Sequence, residues 1–280
     1  MAITVKPLHP LFVGEVTGVD LRQPIDPATL GEIVAAIDRH AVLVFPEQAL
    51  DDAQQIAFSS LFGPLETTRR QLRPDQPLRL DAHMSDVSNL DEKNRLLAAN
   101  DSRRMGNIGN QLWHTDSTFK RIPARYSLLS AHVIPATGGN TEFADMRAAY
   151  EALPEAKQAE LEGLIAIHSI YHSRATVGFT DFTDVERAAL PPVPQVLVRT
   201  HPGSGRKSLY LASHASEIQG MPLPEGRMLL LDLTEHATQR QFVYAHAWRK
   251  DDFVIWDNRA TMHRGRAYDD TKYRRELVRA

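Results

Sequence analysis

Six short apolar runs with few helices between them constrain this chain most. Residues 126–134, 165–172, 195–200, 208–212, 252–256 and 273–279 are rich in β-branched, aromatic and other apolar residues and read as strands. Helical patterns interrupt them only at about 144–162 and 226–243, whereas a doubly wound parallel sheet needs a helix between successive strands. Mostly antiparallel strands with helices outside them predict a mainly β protein with peripheral helices. Its core is expected to be a double-stranded β-helix, a jelly-roll of the cupin kind.

The first hundred residues read differently. Asp26 as N-cap, Pro27 in the first turn, and Leu30, Ile33, Val34 and Ile37 on one face predict a helix over 26–40. A buried strand follows at 41–45, then a helix over 51–62 closed by Gly63-Pro64. Residues 67–108 are polar and aperiodic and are expected to form long loops. A second loop, 174–194, is expected to lie over one mouth of the barrel. No internal repeat or linker divides the chain, so 1–280 is read as a single domain. The amphipathic 226–243 segment would either cover the barrel or pack against a second copy in a homo-oligomer.

Composition narrows the chemistry. The chain has no cysteine, which excludes disulfides, iron–sulfur clusters and thiolate zinc sites. Any metal must sit on carboxylates and on some of the 12 histidines. A net charge of -3 gives no global footprint for nucleic acid. No apolar run reaches membrane-spanning length, and the N-terminus lacks the apolar core of a signal peptide, so a cytoplasmic protein without membrane association is expected.

Four segments carry candidate chemistry. In Trp113-His114-Thr115-Asp116, residues two apart share one side of a strand, so an imidazole and a carboxylate could face one ion. That spacing is weak alone, since a polar pair at a strand end looks the same. His263 follows the apolar run ending in Trp256 and the turn-forming Asp257-Asn258. Two histidines and a carboxylate make the facial triad of non-haem iron(II) oxygenases, and equally a zinc hydrolase site. Next, Arg275, Leu277 and Arg279 share one strand face, with Arg274 pointing away. Two guanidinium forks suit two carboxylates, although a solvated basic strand is the commoner fate of such a run. Last, Gly138-Gly139 permits a tight turn that presents the Thr141 hydroxyl, a common turn sequence when taken alone.

Together these segments resemble the taurine and 2,4-dichlorophenoxyacetate dioxygenase family, most closely its 2,4-dichlorophenoxyacetate branch. Similar blocks run through nearly the whole chain. They include Phe62-Gly-Pro-Leu-Glu66, Asn110-Gln-Leu-Trp-His-Thr-Asp-Ser-Thr-Phe119, Gly138-Gly-Asn-Thr-Glu-Phe143, His214-Ala-Ser216, Trp256-Asp-Asn-Arg259 and Arg274-Arg-Glu-Leu277. The resemblance implies a dioxygenase that holds Fe(II) on His114, Asp116 and His263, with 2-oxoglutarate and O2 as cosubstrates. It implies that Thr141 and Arg275 bind the distal carboxylate of 2-oxoglutarate and that Arg279 holds the acid group of the substrate. Counting from His263 would give Arg274 the cosubstrate role, because the chain carries an extra residue there. The strand face and the Arg-Arg-Glu-Leu block favour Arg275.

The implied substrate is a small anionic aromatic, an aryloxyalkanoate hydroxylated beside its ether oxygen. The same chemistry on a sulfonate or sulfate ester is the nearest alternative. Asn110, His214 and Arg95 join Arg279 as candidate substrate contacts. Arg69 and Arg70 are further loop cations, more often solvated than not, and Phe179 and Phe182 supply either an aromatic wall or packing. His201 is expected to be a satisfied core histidine, and Trp113 and Trp256 to support the ligands.

Overall fold

A computed structural model describes residues 2–73 and 78–280, together with the backbone but not the side chains of Arg69 and Arg70. One large sheet dominates. Its strand order is Thr4–Pro7, Gly14–Thr17, Val42–Phe45, Phe253–Asp257, Tyr126–Val133, Glu276–Arg279 and Ser85–Ser88. Every pairing in it is antiparallel except Gly14–Thr17 with Val42–Phe45. Two smaller sheets have three strands each: Val243–His246, Thr141–Asp145, Thr261–Gly265 and Ala215–Ile218, Ile165–His168, Val193–Val196. The arrangement is the expected jelly-roll with helices outside.

Alternation explains the layers. In the strand Val42–Phe45, Leu43 and Phe45 pack outward with Ile33, Ile37 and Phe58 of the flanking helices. Val42 and Val44 point inward to Trp256, Leu277 and Phe143. Phe253 and Ile255 share the outer layer, and Val254 and Trp256 the inner one. The outer helices begin as their sequences dictate. Asp26 accepts the N–H groups of Ala28 and Thr29 at the head of Pro27–His40. Asp51 and Gln54 form a capping box on Asp52–Ser60.

Several boundaries differ from the sequence expectation, each for a local reason. The 144–162 helix is two helices, Met146–Glu151 and Glu155–Leu161, because Pro154 lacks an N–H and disfavours helical geometry at Leu153. The 165–172 strand stops at His168, where Ser169 caps the short helix Ile170–Ala175. The 195–200 run splits at Leu197, Val193–Val196 pairing with Ile165–His168 and Val198–Thr200 with Lys207–Leu209. The last strand begins only at Glu276. The 67–108 region contains the strand Ser85–Ser88 and the helix Ser102–Ile108, and 174–194 contains the capped helix Asp184–Ala189.

Helix Leu223–Ala237 covers the barrel with Leu229, Leu230 and Leu233, leaving Met228 and Leu231 exposed. Among the described residues, no helix is long and apolar enough to cross a membrane.

Candidate metal centre

His114 and His263 are brought together by backbone pairing. The His114 N–H donates to the His263 carbonyl at 2.9 Å, and the His263 N–H donates back at 2.8 Å. This isolated bridge sets the ring centroids 4.2 Å apart. His263 lies on Thr261–Gly265, whose partner strand is Thr141–Asp145. The expected regular strand at 113–116 is absent. After the bridge the chain turns, with Ser117 at φ 56°, and the turn rather than strand alternation swings Asp116 back beside the imidazoles. His114 Nε2 and His263 Nε2 lie 3.9 and 3.6 Å from the Asp116 carboxylate oxygens.

All three side chains are buried. Burial holds the His114 imidazole below its usual range and pushes His263 down to about 3, so both rings are neutral and keep a lone pair. Burial opposes ionisation of Asp116, but Arg279 and the two imidazoles outweigh it and hold the carboxyl below the carboxylate range. Two neutral imidazoles and a carboxylate converging this closely are poorly satisfied by one another, and a divalent cation would satisfy all three.

Neighbouring groups fix two of the three candidate ligands by hydrogen bonds, and His263 is held by packing against Trp256 and Phe143. The Leu112 carbonyl engages His114 Nδ1 at 2.8 Å, which leaves Nε2 free to ligate. Ser127 Oγ donates to Asp116 Oδ2 at 2.8 Å, and Asn258 Nδ2 donates to Ser127 Oγ at 2.9 Å. Asn258 Oδ1 accepts both the Asp116 N–H and the Trp256 indole N–H. The turn after Trp256 thus ties the ligand loop to the large sheet. A second cluster, Asp38, His201 and Asp257, is of the same types. Its Asp257 is already bonded by Arg259 and by His201 at 2.9 Å, so it acts as a structural prop.

Two cavities meet at the centre, and Asn110, His114 and Arg279 line both. The smaller, about 130 Å³, also touches His263, Thr141 and Arg275. Arg275 is buried, donates to the Gly139 carbonyl at 3.1 Å, and is pushed down to about 10 by burial. No carboxylate among the described residues pairs with it. Gly139, at φ 71°, permits this approach, because a Cβ there would stand 3.3 Å from Arg275 Nε. Arg274 is exposed.

The larger cavity, about 220 Å³, is walled by Phe119, Lys120, Ile170, Arg174 and His214. His214 is buried, with Nδ1 3.0 Å from Thr118 Oγ and its ring edge-on to Phe119. Burial pushes its imidazole well below the usual range. Arg279 reaches past both cavities to the Asp116 carboxylate.

Several candidates lie away from the cavities. Arg95 is outside both, its guanidinium mostly exposed and bonded to Asp91. Phe179 and Phe182 pack on one another, with Phe182 also on Tyr171, rather than lining a cavity. The side chains of Arg69 and Arg70 lie outside the described residues. Conversely, Arg174 escaped sequence reasoning. The Ser169 cap folds 170–175 into a helix that turns Arg174 inward, where it donates to Asn110 Oδ1 at 2.9 Å. That cap, Ser169 followed at the third residue by His172, was the signal available.

Known proteins resemble this chain in sequence and fold. The sequence model of the family described as "Taurine catabolism dioxygenase TauD, TfdA family" matches residues 4–280. The chain is 50% identical over 281 residues to the alpha-ketoglutarate-dependent 2,4-dichlorophenoxyacetate dioxygenase of Cupriavidus pinatubonensis, covering 100% of this chain and 97% of that one. It is 39% identical over 282 residues to the (S)-phenoxypropionate/alpha-ketoglutarate-dioxygenase of Sphingobium herbicidovorans, covering 98% and 92%. The crystal structure of AAD-2 in complex with Mn(II) and N-oxalylglycine superimposes with a TM-score of 0.95 at 50% identity, covering 100% of this chain and 97% of that one. With the family matched from end to end, the chain belongs to the taurine catabolism dioxygenase TauD, TfdA family.

Proposed function

We propose that this chain is an iron(II)- and 2-oxoglutarate-dependent dioxygenase that hydroxylates aryloxyalkanoates such as 2,4-dichlorophenoxyacetate. One observation carries the reading. The His114, Asp116 and His263 cluster opens on two cavities, one ending in the buried Arg275, which meets no carboxylate among the described residues, and the other broad and lined by aromatic and cationic groups. Relatives at 50% and 39% identity whose names specify aryloxy acids direct the substrate choice.

In this reading His114, Asp116 and His263 hold the iron, and Leu112, Ser127 and Asn258 keep His114 and Asp116 oriented. Iron supplies the redox chemistry that couples conversion of 2-oxoglutarate and O2 to succinate and CO2 with substrate oxidation. Thr141 and Arg275 receive the distal carboxylate of 2-oxoglutarate, where a buried guanidinium without an anionic partner among the described residues offers a strong charge-assisted bond. Arg279, shared by both cavities, is assigned to the substrate carboxylate, and Asn110 and His214 to the wall beside it. Holding the substrate acid at Arg279, beside Asp116, would bring its ether-bearing carbon near a metal held by that carboxylate. Hydroxylation beside the ether oxygen makes a hemiacetal, which collapses to a phenol and glyoxylate.

The test is succinate release and phenol formation with phenoxyacetates, run beside taurine and an alkyl sulfate ester. Equal release of succinate and phenol from an aryloxy acid is expected. Turnover of the sulfur compounds with none of any aryloxy acid would overturn the substrate assignment.

A further inference from the structure

Thr141 is not left to orient itself. Its hydroxyl oxygen receives the indole N–H of Trp248 at 3.0 Å, and both residues are buried. Trp248 lines neither cavity, and its hydrogen bond reaches the site through Thr141. It sits just beyond Val243–His246, the strand that pairs His246 with Thr141. Its ring is packed in the inner core and meets His246 edge-on at 4.6 Å. His246 lies 3.1 Å from the buried Asp252 carboxylate, which also accepts the Arg249 N–H at 2.9 Å. The indole therefore has one available orientation.

An indole N–H only donates, whereas a threonine hydroxyl has one proton and two lone pairs. The bond from Trp248 uses a lone pair and leaves the hydroxyl proton for another acceptor. Among the described residues, the Thr141 hydroxyl donates to no side chain or carbonyl. Its proton is thus available to the cavity, on the same wall as Arg275, whose guanidinium bonds the carbonyl of Gly139 two residues earlier.

We propose that Trp248 is a positioning residue for the cosubstrate: it fixes Thr141 as a hydrogen-bond donor toward the distal carboxylate of 2-oxoglutarate. The inference rests on the 2-oxoglutarate reading given above. It makes the cavity select an anionic acceptor at the far end of the keto acid, with Thr141 and Arg275 donating together.

The test is equilibrium binding of 2-oxoglutarate to the Fe(II)-loaded enzyme without oxygen, by calorimetry, for wild type, Trp248→Phe, Thr141→Val and the double variant. Metal affinity and thermal midpoint are measured on each. Trp248→Phe is expected to weaken 2-oxoglutarate binding by about fivefold, the scale of one hydrogen bond. It should raise the KM for 2-oxoglutarate while leaving kcat and the KM for the aryloxy acid nearly unchanged. In Thr141→Val the partner is already gone, so adding Trp248→Phe should cost nothing further.

Wild-type affinity in Trp248→Phe, or penalties that simply add in the double variant, would overturn the proposal. A wild-type enzyme that binds no 2-oxoglutarate would overturn the function as well, which separates the two failures. A second measurement does not depend on how Trp248→Phe folds. The indole N–H of Trp248 should exchange with solvent faster in Thr141→Val than in wild type, and equal exchange would contradict the bond.

Discussion

The two cavities beside the metal centre are built from different materials. The smaller one takes its cosubstrate wall from ladder strands, with Thr141 on the middle strand of its sheet, His263 on the neighbouring strand and Arg275 immediately before Glu276–Arg279, and is closed by the helix Ser102–Ile108 and the loop through Tyr268. The larger one is walled by turns and short helices, with Phe119 and Lys120 after a left-handed Ser117, and Ile170 and Arg174 on a six-residue helix. Ladder hydrogen bonds hold the first wall to its register. The second depends on caps and side-chain contacts. A family with one cosubstrate and varied substrates is served by that division, because turns accept change more readily than paired strands.

The largest expected effect lies where the cavities meet. His114→Ala removes a ligand from both sides at once and should reduce metal binding and succinate release to background, as read by metal content and turnover. Next, Arg275→Gln takes the buried cation from the smaller cavity. The KM for 2-oxoglutarate should rise at least about thirtyfold, with the KM for the aryloxy acid little changed, since truncating a buried charge partner costs several kcal/mol. An equal rise in both constants would mean that the cavities do not divide the two ligands.

Phe119→Ala is the converse test. Phe119 packs edge-on to His214 at 4.9 Å in the wall of the larger cavity. Its loss should raise the aryloxy acid KM up to about tenfold and leave that for 2-oxoglutarate unchanged.

The smallest effect concerns pH. Burial, aided by the Arg199 charge, pushes His168 down to about 3, so the folded protein resists a proton that the unfolded chain accepts below its ordinary value of 6.5. Stability from this group is complete above pH 6.5 and declines as pH falls toward 3. Between pH 6.5 and 5.5 the loss is about 1 kcal/mol. His168 ends the strand that leads into Ile170–Ala175, so amide exchange should quicken there first. A His168→Leu variant should flatten this part of the thermal midpoint profile, and an unchanged slope would remove His168 from the explanation.

The same division governs what could be read from the sequence. Period-two alternation from Leu277 puts Arg275 and Arg279 on one face, and the structure places Arg275 inward and Arg274 outward although the strand begins only at Glu276. Capping and periodicity located Pro27–His40 and Asp52–Ser60 within a residue or two. Alternation misread 113–116, because the His114 bridge and the Ser117 turn are tertiary features. Ser127 and Asn258, which hold Asp116, are 131 positions apart and share no local signal. Arg95 sits in a polar loop where Asp91, four residues earlier, takes its guanidinium, and that local pair was the available sign that it would lie away from the cavities.

Anaerobic titration of the Fe(II)-loaded protein with 2-oxoglutarate tests the central assignment most directly. A charge-transfer band should appear in the visible spectrum and saturate at one equivalent per chain. The Arg275→Gln variant should need far more 2-oxoglutarate to reach the same band, while Phe119→Ala should titrate like wild type. Absence of the band in the wild-type protein would contradict the assignment of the smaller cavity to 2-oxoglutarate.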